Sequence, residues 1–117
     1  MNTIRNSVHL IGRLGRDIAL KEVAPGRSLA RITLATNETY KNTKGENVTE
    51  TQWHNLIVWG KNAERMEQLL KKGDELAIQG KLVHRSYEDT EGNKRYASEV
   101  RVNEFVKIGN KRQQQPV

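Results

Sequence analysis

Thr51-Gln52-Trp53-His54-Asn55-Leu56-Ile57-Val58-Trp59 is the stretch on which the reading of this chain turns. It is rich in aromatic and β-branched residues, which fit a pleated, half-buried surface, so it reads as a strand. Side chains alternate along a strand. Trp53 and Trp59 therefore share one face, while His54, Leu56 and Val58 take the other. The second face is apolar and is assigned to the core, which leaves both tryptophans on the face opposite it.

The residues that follow change period. Ala63, Met66 and Leu70 recur at helical spacing within 61–72, with Glu64, Arg65 and Glu67 between them. Lys71-Lys72-Gly73 supplies a basic last turn and a glycine stop. Toward the N-terminus, 28–37 alternates, with Ala30, Ile32 and Leu34 on one face and Arg31 and Thr33 on the other. Between it and the opening strand, 40–49 is polar and reads as a long hairpin loop. Residues 6–14 are short, apolar and punctuated by Gly12 and Gly15, again a strand. Pro25-Gly26 marks a turn, with room for a weak strand over 20–23.

Toward the C-terminus, 75–87 returns to strand. Leu76, Ile78 and Leu82 are expected inside, and Lys81, Val83, Arg85 and Tyr87 outside. A polar loop at 88–94 and a last strand over 96–106 complete the pattern. Three strands, a helix, then two strands match the five-stranded oligonucleotide/oligosaccharide-binding (OB) barrel, an all-β fold with one short helix between strands three and four. The expected domain covers 1–108. Residues 109–117 carry a glutamine run and are expected to be a disordered tail.

Composition narrows the function. The 117 residues suit one domain. A hydrophobic share of 35% is low for a globular chain and makes a modest core, which self-association would enlarge. Lys and Arg number 20 against 14 Asp and Glu, for a net charge of +6. That balance favours a polyanionic partner, nucleic acid before an anionic membrane. The absence of cysteine excludes disulfides and thiolate metal sites. No apolar run approaches membrane-spanning length, and the N-terminus carries no signal core. A cytoplasmic, nucleoid-associated protein is expected, or a mature organellar one, with no membrane partner.

Only 5% of residues are aromatic. Four of them, Tyr40, Trp53, Trp59 and Tyr87, are expected on one surface among Arg31, Lys41, Lys61, Lys81 and Arg85. Rings bind any base by stacking, and cations follow the phosphates, so this set suits single-stranded nucleic acid with little sequence preference. An enzyme finds little support. His9, His54 and His84 lack paired ligand spacing. Glu88, Asp89 and Glu91 lie in a glycine-containing loop and read as a solvated turn. Gly12 and Gly15 complete no phosphate-binding fingerprint and are expected at turns or close packing. No catalytic residue, metal or cofactor is expected.

Several segments together resemble the bacterial single-stranded DNA-binding protein family: Ile11-Gly12-Arg13-Leu14-Gly15-Arg16-Asp17, Ile32-Thr33-Leu34-Ala35-Thr36-Asn37-Glu38-Thr39-Tyr40, Trp53 to Lys61, Leu70-Lys71-Lys72-Gly73-Asp74 and Gly92-Asn93-Lys94-Arg95-Tyr96. Each is weak alone, but in this order they span about 6–106. The resemblance implies an OB fold, single-stranded DNA (ssDNA) as partner, roles in replication, recombination and repair, and a homotetramer built from dimers around which ssDNA wraps. It carries the family's stacking aromatics onto Tyr40, Trp53, Trp59 and Tyr87, and its interface histidine onto His54. His9 is added as a second interface candidate. Family members end in an acidic, hydrophobic tip that recruits replication and repair proteins, whereas this chain ends Lys111-Arg112-Gln113-Gln114-Gln115-Pro116-Val117. Recruitment through such a tip is therefore not carried over. Alternatives are a replication-restart accessory protein of the same fold, which bridges ssDNA to a helicase assembly, and an RNA-binding OB module. The full aromatic set speaks against the first, and the family resemblance against the second.

Overall fold

The computed structural model describes residues 3–109. A short 3-10 turn, Thr3–Asn6, precedes β1 (Val8–Leu14), β2 (Leu20–Ala24), β3 (Arg27–Lys41), β4 (Asn47–Trp59), α1 (Gly60–Leu69), β5 (Glu75–Glu88) and β6 (Lys94–Gly109). Of the tail expected over 109–117, Gly109 closes β6, and the rest lies outside the described residues.

Five strands close a ring. β1 pairs with β5, β5 with β6, β6 with β4 in parallel, β4 with β3, and β3 returns to β1 at Ala35–Arg13 and Leu34–Leu14. Closure removes most of the unpaired edge that an open sheet would present. This is the OB barrel expected from the sequence, with the helix between the third and fourth barrel strands. The weak strand at 20–23 is real: β2 forms a hairpin with the start of β3 across Pro25-Gly26 and lies outside the ring. Closure is tight at Gly12, where a β-carbon would come within 2.2 Å of the Ala35 carbonyl oxygen. Only glycine admits that approach.

Alternation places the core as read. Ala30, Ile32 and Leu34 of β3, Leu56 and Val58 of β4, Leu76 and Ile78 of β5, and Val100 and Val102 of β6 are all buried. Helix α1 caps one end of the barrel, burying Ala63 and Met66, and Leu70 just beyond it is buried as well.

Two expectations are corrected. The polar segment 40–49 is not a long loop. β3 and β4 continue through it in register to Lys41–Asn47 and leave only a short turn, in which the Asn42 side-chain oxygen accepts the backbone N–H groups of Lys44 and Glu46. Threonine-rich alternation sustains a ribbon that needs no buried face. Leu82, expected inside, is 41% exposed. Beyond Gly80 the β5–β6 hairpin runs past the barrel, after an irregularity between Gln79 and Gly80, so the inward-facing parity has no core left to meet.

Candidate nucleic-acid interface

Strand pairing assembles one face row by row. Arg31, Thr33 and Ala35 of β3 stand opposite Ile57, Asn55 and Trp53 of β4, and Leu29 stands opposite Trp59. Across the parallel pair, Ile57 lies beside Arg101 of β6. Arg101 then faces Lys81, Glu99 faces Val83, Ala97 faces Arg85 and Arg95 faces Tyr87 on β5. Directly opposed residues share a face. Trp53, Trp59, Tyr87, Arg31, Lys81, Arg85 and Arg101 therefore occupy one continuous outer face of four strands, opposite the core.

Trp53 is 62% exposed and packs over Gly15, where a β-carbon would stand 2.7 Å from its Cζ3. Trp59 is half-buried, with the guanidinium carbons of Arg27 and Arg101 at 5.1 and 5.9 Å from its ring centroid. Arg85 lies 5.1 Å from the centre of the exposed Tyr87 ring. Such cation–π contacts hold rings and charges together in water. The two tryptophans are six positions apart along β4, about 20 Å, room for several nucleotides between them. Between the aromatics runs a groove of about 340 Å³ lined by Arg16, Arg31, Thr33, Asn55, Arg85 and Tyr87, with Glu99 in its wall. Glu99 is buried and ion-paired to Arg31, and Arg85 Nε donates to its other oxygen at 3.0 Å.

The remaining sequence candidates fall elsewhere. Tyr40 pairs with Val48, in the parity of Leu34 rather than that of Ala35, so it projects from the opposite side of the β3–β4 ribbon from Trp53. The single surface expected for all four aromatics thus holds three. Lys41 has the parity of Trp53 but sits at the far end of that ribbon, about 40 Å along it from Trp59. Lys61 is exposed in the first turn of α1, at the Trp59 end. His54 is half-buried on the core-side parity, and its Nε2 is 2.9 Å from Thr36 Oγ1. His9 is exposed on the outer face of β1 and borders a small hollow of about 150 Å³ with Ala77, Gln79 and Val106. The two histidines are not brought together.

Five residues of the face were not singled out from the sequence: Arg16, Arg27, Asn55, Glu99 and Arg101. Arg101 and Glu99 were within reach, since inward Val100 and Val102 put their odd-numbered neighbours outside. Arg16 and Arg27 carry no periodic signal and arrive through loop and strand-end geometry.

The acidic loop is a turn. Asp89 Oδ1 accepts the backbone N–H groups of Glu91 and Asn93, and Arg95 Nε donates to Oδ2 at 2.9 Å. The Arg95 guanidinium and then the Asn93 N–H hold the Asp89 carboxyl below its ordinary value. Among the described residues no cluster of three or more His, Cys, Asp or Glu gathers to hold a metal, and no helix is long and apolar enough to cross a membrane.

A closed OB barrel whose outer face alternates exposed aromatic rings with guanidinium and ammonium groups defines a class, the binders of extended nucleic acid strands. The chain belongs to the single-strand binding protein family, whose sequence model matches residues 5–108. It is 41% identical over 107 residues to single-stranded DNA-binding protein 1 of Chlorobaculum tepidum, an alignment covering 91% of this chain and 66% of that protein. It is 36% identical over 104 residues to a Neisseria meningitidis single-stranded DNA-binding protein, covering 89% of this chain and 60% of that protein. The chain thus spans under two thirds of these curated relatives. A Plasmodium falciparum SSB, solved in complex with ssDNA, superposes with a TM-score of 0.79 at 26% identity over 88% of this chain and 94% of that one. A deletion mutant of the Thermus aquaticus single-stranded DNA binding protein shares the fold, with a TM-score of 0.76 at 24% identity over 88% of this chain and 50% of that one.

Proposed function

We infer that this chain is a non-catalytic protein that binds and protects single-stranded DNA without sequence preference, in replication, recombination and repair. The observation that carries the reading is the four-strand outer face, on which Trp53, Trp59 and Tyr87 alternate with Arg31, Lys81, Arg85 and Arg101. Bases stack on the rings while phosphates meet the cations. Tyr40 and Lys41 extend the path around the β3–β4 ribbon, and Lys61 extends it at the helix. A base reaching Trp59 takes the place of one of its two guanidinium neighbours. The ssDNA bound to the Plasmodium falciparum relative supports DNA as the ligand.

The working unit in this reading is a homo-oligomer, a tetramer of two dimers. Support comes from an apolar row across the outer face of β1, β5 and β6. Ile11 pairs with Ala77, which pairs with Val106, and Ile11 and Val106 are 60% and 65% exposed. Among the described residues β1 pairs on its other side only at Arg13 and Leu14, and Gly12 packs on Ala35, so its edge from Val8 to Ile11 can accept a second strand. His9 lies on that face. His54 is assigned to the subunit contact on the family resemblance.

Competition in a mobility-shift assay tests the reading. Unlabelled oligo-dT should displace labelled oligo-dT at far lower concentration than duplex DNA of the same length, with oligo-rU between. Equal competition by duplex would sink it, because bases inside a duplex offer no free ring face.

A further inference from the structure

Glu99 stands out on a face otherwise built for an anion. Its side chain is 7% exposed, while those of its partners Arg31 and Arg85 are 49% and 44% exposed. The three residues come from β6, β3 and β5, so the ion-pair chain reaches across β4 and lies in the groove between the aromatics. Two guanidiniums and one carboxylate leave a single net positive charge where the sequence supplies two arginines.

On the preceding reading of the face, we propose that Glu99 is an affinity-setting residue: an internal anion that occupies Arg31 and Arg85 until phosphates of the bound strand take its place. Arg31 and Arg85 each have about half their side-chain surface in water and can turn outward, whereas Glu99 is fixed in the sheet and cannot follow. Binding then exchanges one anion for another at these two arginines, and the carboxylate left in the sheet offsets part of the counterion release that two free arginines would drive. The trio brings one net positive charge to the strand and not two, so it displaces fewer of the strand's condensed cations than two free arginines would and adds less than their full weight to the salt dependence. The device limits affinity at low salt and keeps the strand able to leave.

The test is Glu99→Gln, which keeps the shape and one acceptor oxygen but removes the charge. Affinity for oligo-dT is measured by fluorescence titration over a series of salt concentrations, beside the wild type. The expected result is several-fold tighter binding at low salt and a log–log slope steeper by roughly 0.7, one phosphate's share for the one charge removed. Weaker binding, or an unchanged slope, overturns the proposal and makes Glu99 a structural brace for the two arginines. If Glu99→Gln does not fold, Glu99→Ser, which removes the charge and leaves room for water between the two guanidiniums, decides. A slope steeper by about 0.7 supports shielding by Glu99, and an unchanged slope overturns it. Failure of the wild type itself to bind oligo-dT would refute the ssDNA reading beneath the proposal, which separates the two failures.

Discussion

The indole of Trp53 lies on Gly15. A β-carbon at position 15 would stand 2.7 Å from Trp53 Cζ3 and 2.6 Å from Thr33 Oγ1, while the Gly15 N–H donates to the Thr33 carbonyl at 2.9 Å. The segment joining β1 to β2 is thereby tied to β3 and forms the floor under the most exposed ring of the candidate face. Gly15→Ala should push the indole out of its seat while the barrel persists. Binding of oligo-dT should weaken by up to ~1–3 kcal/mol, the worth of one base–aromatic stack. Circular dichroism checks the fold, and titration of the same sample checks the binding.

Tyr40 leaves the β3–β4 ribbon on the side opposite Trp53. A short oligonucleotide that covers the groove cannot touch both. Tyr40→Ala should therefore leave short oligo-dT binding unchanged and weaken long oligo-dT, with the loss appearing once the strand can pass around the ribbon. Trp53→Ala should weaken both. A series of oligo-dT lengths against the two variants distinguishes this geometry from a single flat surface.

Lys81 stands in the row of Arg101 and Ile57, without a carboxylate opposite it in the pairing. Lys81→Gln should flatten the slope of log affinity against log salt by roughly 0.7, one phosphate's share on a single strand. A slope that does not move would take Lys81 out of the phosphate path.

The Asp89 carboxylate organises the turn between β5 and β6, and its pKa lies below the ordinary value of 3.8. A carboxyl whose pKa is depressed on folding stabilises the folded turn above its unfolded pKa, and that contribution is lost as pH falls through the lower folded value. Between neutral pH and about pH 5 the turn should be unaffected; below about pH 4 the backbone amides of Glu91 and Asn93 should lose protection from hydrogen exchange. Asp89→Asn should loosen them at neutral pH and remove the acid step.

Ile11 and Val106 leave an apolar row open on the outer face of β1, β5 and β6. Ile11→Glu places a charge in that row without touching the binding face. Light scattering should show a multiple of the 13.4 kDa chain mass for the wild type and a smaller species for the variant. A wild-type monomer would remove the oligomer from the account.

Much of this was legible in the residues because alternation is a strict code. The parity of Trp53, Trp59, Leu56 and Val58 gave the barrel its inside and outside, and the turn to helical spacing at Ala63 and Met66 located the cap. The same code failed where strands outrun the barrel. The sequence around Leu82 alternates as if a core continued, and the polar ribbon at 40–49 alternates without one. Tyr40 was placed by its basic neighbours and not by its parity with Leu34, which is why its side of the ribbon was missed. The outward parity of Glu99 was readable from Val100 and Val102, but its ion pairs with Arg31 and Arg85 were not, because three-dimensional pairing alone brings those residues together.

The most direct test uses the two tryptophans as reporters. Intrinsic fluorescence is followed during titration with oligo-dT, then with duplex DNA of the same length, in the wild type and in Trp53→Phe. The account predicts strong quenching by oligo-dT and little by duplex, with the quenching reduced in Trp53→Phe and the remainder carried by Trp59, which a base reaches only by displacing Arg27 or Arg101. A folded protein whose tryptophans respond to no strand, or equally to duplex, would contradict base stacking on this face.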